Sequence, residues 1–171
     1  MMKCRARRLG RRALAVVVPL AFLASGCTAT GMGWIPSALS PGDKATFGFS
    51  YDGTTMRFSG SYHDPQGMTA AGVADVAFKG TGKLNPCSTD PRCQQVGPPA
   101  KGGCLAGEPT YESQNPKIAG SGFVFMILCD ADGNGEVTVE GGDSIFLHVD
   151  TGPYEGYTNS GNPHGNITVK S

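Results

Sequence analysis

Hydrophobic and polar positions alternate along most of this chain with the two-residue period of strands. Ala45–Tyr51 places Phe47, Phe49 and Tyr51 on one face. Asp52-Gly53 then reads as a hairpin turn, and Met56, Phe58, Gly60 and Tyr62 continue that face on a second strand. Val73–Lys79 alternates more weakly. Phe123–Cys129 is apolar throughout, the pattern of a central strand buried on both sides. Val137 with Val139, then Ile145, Leu147 and Val149, then Ile167 with Val169, predict three more strands. No segment keeps a helical period over about ten residues. The pattern predicts an all-β fold, a single β-sandwich or barrel-like domain of about seven to eight short antiparallel strands.

Composition supports turns over disorder, because the 26 glycines and 12 prolines of the 171 residues punctuate strand-like runs. Charge is less even than its balance of 14 basic and 14 acidic side chains suggests. Lys3, Arg5, Arg7, Arg8, Arg11 and Arg12 open the chain with no acid among them. Setting those six aside leaves eight basic residues against 14 acids from Cys27 onward, an excess of six negative charges. A domain of that sign is a poor binder of phosphate backbones, so nucleic acid is not an expected partner.

Behind the basic start, Ala13–Leu23 forms an apolar core of eleven residues. It is too short to cross a hydrocarbon layer of roughly 30 Å as a permanent helix, and reads as an export signal over residues 1–26. The segment ends Leu23-Ala24-Ser25-Gly26-Cys27. This resembles the bacterial lipoprotein lipobox, with Ala24 where leucine is more usual. The resemblance implies that Cys27 is diacylated on sulfur and becomes the mature N-terminus. The protein would then sit on the outer face of the cytoplasmic membrane or within the envelope, with the membrane a partner through its lipid. The alternative is a plain secretory signal with an incidental cysteine. Arg7-Arg8 and Arg11-Arg12 leave the general and twin-arginine export routes both open. Thr28–Pro41, rich in small residues, Gly and Pro, reads as a tether. The expected organisation is a signal at 1–26, a lipidated, flexible N-terminus at 27–43 and the β domain at 44–171.

Of six cysteines, Cys4 lies in the signal and Cys27 under the lipid. Cys87, Cys93, Cys104 and Cys129 remain, and in an exported domain they imply two disulfides with three pairings. The short loop between Cys87 and Cys93 favours Cys87–Cys93 with Cys104–Cys129. Zinc lacks support, with no Cys-x-x-Cys and no histidine nearby in sequence. Such staples would order the Pro- and Gly-rich stretch from Pro86 to Pro116 without secondary structure.

A run of glycine-bearing motifs carries a further likeness. Gly80-Thr81-Gly82-Lys83-Leu84, Gly120-Ser121-Gly122-Phe123, Cys129-Asp130, Gly142-Asp143-Ser144-Ile145, Thr151-Gly152-Pro153-Tyr154 and Gly161 to Ile167 follow in order. They resemble a β-rich module of secreted and lipid-anchored actinobacterial proteins, over roughly residues 78–170. The resemblance implies a β fold and no catalytic activity.

Asp130-Ala131-Asp132-Gly133-Asn134-Gly135-Glu136 is the sharpest local motif. It resembles the calcium loop of EF-hand proteins, in which oxygens at alternate positions converge on a hard cation and a glycine permits the turn. The resemblance implies Asp130, Asp132 and Asn134 as side-chain ligands and Glu136 as a carbonyl ligand. Position twelve is Gly141, so Glu140 or Asp143 would have to replace the missing glutamate. The flanks read as strands, which excludes a calcium-regulated helix pair. The other reading is a strand-to-strand turn of residues that tolerate left-handed backbone. No other cofactor is expected.

Thr151–Asn159 offers Tyr154 and Tyr157 among small residues, a composition shared by binding loops and by lids over a β core. His148 falls opposite Ile145, Leu147 and Val149, an outward strand position. His63-Asp64 precedes Pro65, and His164 lies between Pro163 and Gly165, so both read as turn residues. Nothing resembles a serine-nucleophile elbow, a zinc-protease helix motif or a phosphate-cradling loop. The expected function is a non-enzymatic binding or scaffolding module of the envelope, with a protein, glycan or small-molecule partner. An envelope hydrolase or its accessory, with a site in the Tyr154–His164 loops, and a lipid or small-ligand carrier are the alternatives.

Overall fold

The computed structural model describes residues 28–87, 92–93, 103–130 and 143–170. Eleven strands account for most of them: β1 (Thr28–Pro36), β2 (Lys44–Asp52), β3 (Arg57–Met68), β4 (Ala74–Lys83), β5 (Asn85–Pro86), β6 (Gly103–Gly107), β7 (Thr110–Ser113), β8 (Ser121–Asp130), β9 (Ser144–Val149), β10 (Thr158–Gly161) and β11 (His164–Lys170). All pairings are antiparallel. The sheet runs β10-β9-β8-β7-β4-β3-β2-β1-β11, with β6 also paired to β8 and β5 to β6.

The all-β, barrel-like expectation holds, with eleven strands in place of seven or eight. The β2–β3 hairpin turns where Asp52-Gly53 predicts, its Oδ1 accepting from Thr54 N at 2.9 Å and its Oδ2 from the Thr55 hydroxyl at 2.8 Å. Phe47, Tyr51, Phe58 and Tyr62 point inward and are buried, as their alternation requires. β8 is buried on both faces. Val124, Met126 and Leu128 join the main core with Ile145, Leu147 and Val149. Phe125, Ile127 and Cys129 form a smaller core with Ala106, Cys93 and Cys104. The Arg92 guanidinium lies over the Phe125 ring, 4.1 Å from its centroid, and pairs with Glu108. Both favoured disulfides form, Cys87–Cys93 and Cys104–Cys129. Cys104 and Cys129 face each other across β6 and β8.

Three expectations are corrected. The segment read as a tether is β1, paired on both sides from Thr28 onward, to β2 and β11. Its inward positions are Ala29, Gly31, Gly33 and Ile35, so glycine hides the alternation. The Phe49 ring fills the space that a Cβ on Gly31 would need. The Pro86–Pro116 stretch is not free of secondary structure, since β6 and β7 lie in it. His63 and His164 belong to β3 and β11 instead of turns. The strand predicted around Val137 and Val139 lies outside the described residues.

β10 and β11 are the two ends of the sheet, yet only Asn162 and Pro163 separate them in sequence, so the sheet curls until its ends meet. Side chains stitch that seam. Asn159 Nδ2 donates to Pro36 O at 3.0 Å, Ile167 N to Asp143 Oδ2 at 2.7 Å, and Val169 N to Asp130 Oδ2 at 2.9 Å. Buried amides without an acceptor are costly. Asp143→Ala should therefore lose about 1–3 kcal/mol in urea unfolding and speed hydrogen exchange at the Ile167 amide, while Asp143→Asn retains an acceptor and most of the stability.

Candidate functional site

The tyrosines of the Thr151–Asn159 loop are lids of the core. Tyr154 is fully buried, its hydroxyl bonded to Ser113 Oγ at 2.8 Å and Ala77 O at 3.2 Å. The Tyr157 hydroxyl donates to Asp64 Oδ2 at 2.6 Å and meets the Tyr62 hydroxyl at 2.8 Å. Asn159 Nδ2 donates to the Tyr62 oxygen at 2.7 Å. Asp64 is itself fully buried, and also accepts from Ala38 N at 3.2 Å and Gln66 N at 3.1 Å. Each polar group in this cluster has partners, as a buried network requires. His164 lies away from the two tyrosines, stacked on Trp34 with ring centroids 3.8 Å apart, and Lys44 Nζ sits 4.5 Å from the Trp34 centroid. The Tyr154–His164 residues thus form no common pocket.

Of the calcium-loop residues, only Asp130 is described. It is fully buried and its Oδ2 receives the β11 amide of the seam. Asp132, Asn134, Glu136 and Glu140 lie outside the described residues, as does Cys27. Among the described residues, no group of three His, Cys, Asp or Glu side chains could hold a metal ion. His148 takes its predicted outward place on β9, with Nδ1 2.6 Å from Thr158 Oγ1 and Nε2 3.9 Å from Asp150 Oδ1.

A different histidine has the most developed surroundings. In β3 the register shifts between Asp64 and Met68. Ahead of that irregularity Asp64 turns inward and His63 outward. Across from it, Asp75 adopts a left-handed backbone, φ 61°, at the start of β4. His63 Nε2 and Asp75 Oδ1 are 2.9 Å apart. Asn115 Nδ2 reaches both Asp75 O at 3.0 Å and Asp75 Oδ2 at 3.2 Å. Asn115 Oδ1 in turn accepts from Lys117 N at 2.9 Å. The His63 and Asp75 side chains are about half exposed, 51% and 48%.

These residues edge an open groove of about 620 Å³ on the outward face of the sheet, lined also by Met32, Thr46, Ser61, Lys79 and Gln114. Met32 is 73% exposed. The Asp75 carboxylate can only accept, so it assigns the proton of the neutral imidazole to Nε2 and leaves Nδ1 as an acceptor. The groove therefore offers hydroxyl and amide donors, one ammonium, one oriented imidazole and a methionine, a set suited to recognising a polar partner. Ser61 shares the outward face with His63, and no hydrogen bond joins them. Sequence reasoning missed the site because the approach of His63 to Asp75 depends on the register of β3 with β4, which sets His63 opposite Ala77 and diagonal to Asp75, and on the left-handed backbone of Asp75. Neither has a pattern signal.

Among the described residues the core holds little space. The void among Phe47, Phe58, Phe78, Met126 and Leu147 is about 20 Å³. No protein-family model matches the chain, and comparison with curated proteins and with solved structures finds no match.

Burial pushes the phenols of Tyr62 and Tyr157 far above their ordinary value of 10.0; for Tyr157 the neighbouring Tyr62 and Asp64 add to the effect. Tyr51 and Tyr111 rise too, chiefly by burial. A raised phenol binds its proton more tightly folded than unfolded, so its stabilisation is complete below pH 10 and is lost as pH climbs above it. Each such tyrosine should add about 1.4 kcal/mol per pH unit to the alkaline loss of stability. Tyr157→Phe should shallow that slope, and cost about 1–3 kcal/mol at neutral pH by taking one donor from buried Asp64. Denaturant titrations at stepped alkaline pH check both.

Proposed function

We propose that the protein is a lipid-anchored, non-enzymatic binding module of a bacterial envelope, held at Cys27 and engaging its partner through the His63–Asp75 groove. The observation that carries this reading is the open, chemically varied groove on the outward face, against a core whose described void is small. That void of about 20 Å³ accommodates roughly one water, which favours a surface binder over a carrier. Buried Tyr154 and Tyr157, and His164 stacked on Trp34, favour the binding reading over a hydrolase with its site in the Tyr154–His164 loops. Export is supported by the basic and apolar leader ending in the lipobox-like Leu23–Cys27. Two formed disulfides fit an oxidising compartment.

The full chain expressed in a bacterial host should incorporate labelled palmitate and fractionate with membranes, and Cys27→Ser should lose both. Purified protein titrated with short peptides and small glycans should show amide shifts confined to Thr46, Ser61, His63 and Lys79, abolished by His63→Ala. A hydrophobic ligand seen by native mass spectrometry would overturn the reading in favour of a carrier. Ester or glycoside turnover that disappears in His63→Ala would overturn it in favour of an enzyme.

A further inference from the structure

We infer that the barrel end bearing the Asp52–Arg57 hairpin lies directly against the lipid surface, and that the His63 groove is held rigidly away from it. This deepens the proposed function and rests on its reading of Cys27 as the lipid attachment.

The inference comes from where β1 begins. Thr28, the residue after Cys27, is already a paired strand residue, facing Lys170 on one side and Asp52 on the other. One extended residue spans at most about 3.6 Å. A diacylated Cys27 therefore leaves no spacer between the acyl chains and the sheet. The register identifies what shares that end: Asp52 faces Arg57, and Arg57 faces Lys83. Met56 lies at the tip of the hairpin, 39% exposed and with a left-handed backbone, φ 55°. β8 brings Asp130 to the same end, against Val169. The apposition is thus set by the tether and not by an excess of positive charge.

The same register places the groove. His63 lies six positions beyond Arg57 along β3. At about 3.3 Å per residue and a barrel-like tilt of about 35–45°, it stands roughly 14–16 Å from the hairpin end. The loop after Pro36, with Leu39 59% exposed, lies at the far end of β1. A partner of the groove is met to the side of the barrel, clear of the headgroups.

Two tryptophan reporters test this in the full chain reconstituted in phosphatidylcholine vesicles with a headgroup nitroxide. Against a Trp34→Phe background, Met56→Trp should lose most of its emission to the nitroxide and Leu39→Trp should keep it. Inserting about twelve Gly and Ser residues between Cys27 and Thr28, with an r.m.s. span of about 20 Å, should restore the emission of Met56→Trp. Intact mass separates the two ideas. A chain lacking acyl mass overturns the reading of Cys27. An acylated chain with both reporters equally quenched, or with quenching insensitive to the insertion, overturns the orientation.

Discussion

The seam between the two ends of the sheet is the constraint on which the rest of this structure depends. A curled sheet leaves β11 with amides pointing away from β1, and an unpaired edge is both a cost and an invitation to foreign strands. Among the described residues no ladder joins β11 to β8 or β9. The carboxylates of Asp130 and Asp143 take the amides of Val169 and Ile167, and the Asn159 carboxamide takes the carbonyl of Pro36. Side chains tolerate a curvature that a ladder would not. Closure in turn lets Ala29, Ile35, Ile167 and Val169 share one core with Val124, Leu128 and Ile145.

A second constraint sits where β3 loses register with β4. Asp64 follows Phe58 and Tyr62 on the inward face of β3, and just ahead of the irregularity Ala38, Gln66 and Tyr157 donate to it, so one carboxylate ties together the chain after β1, the end of β3 and the turn before β10. Its neighbour His63 emerges on the opposite face and finds Asp75. A left-handed backbone costs about 1–2 kcal/mol for an ordinary L-residue. At Asp75 the two bonds from Asn115 offset it. The buried network and the groove are thus opposite faces of one strand.

Where side chains alternate, the sequence was a faithful guide. β2, β3 and β9 could be read from Phe, Tyr, Ile, Leu and Val at every second position, and β8 from its unbroken apolar run. The Cys87–Cys93 pairing followed from its short loop. What failed to register were strands whose inward positions are glycine or whose length is too short for a period: β1, with Gly31 and Gly33 inward, the uniformly buried Gly103–Gly107, and the four residues of β7. Chemistry was harder to read than fold. The spacing around Asp130 suggests a cation loop, and of its proposed ligands the described residues include only Asp130, whose carboxylate also accepts the Val169 amide. Tyr154 and Tyr157 have the composition of a binding loop, and the structure uses both as lids, the second of the two readings their composition allows.

Burial of the tyrosines bears on the proposed recognition. Tyr62, Tyr154 and Tyr157 each have a fixed partner, and a ligand entering among them would break a satisfied network. On the outward face the groove presents Ser, Thr and Lys side chains, with the oriented imidazole of His63 and the bare thioether of Met32 beside them. β1 carries Met32 and, under the proposed anchoring, the lipid as well. With Thr28 already paired, the strand that meets the membrane and the strand that edges the groove are one rigid element in the middle of the β2–β1–β11 sheet. A module built this way holds its recognition face at a fixed height and angle, and selects partners by geometry as much as by contact.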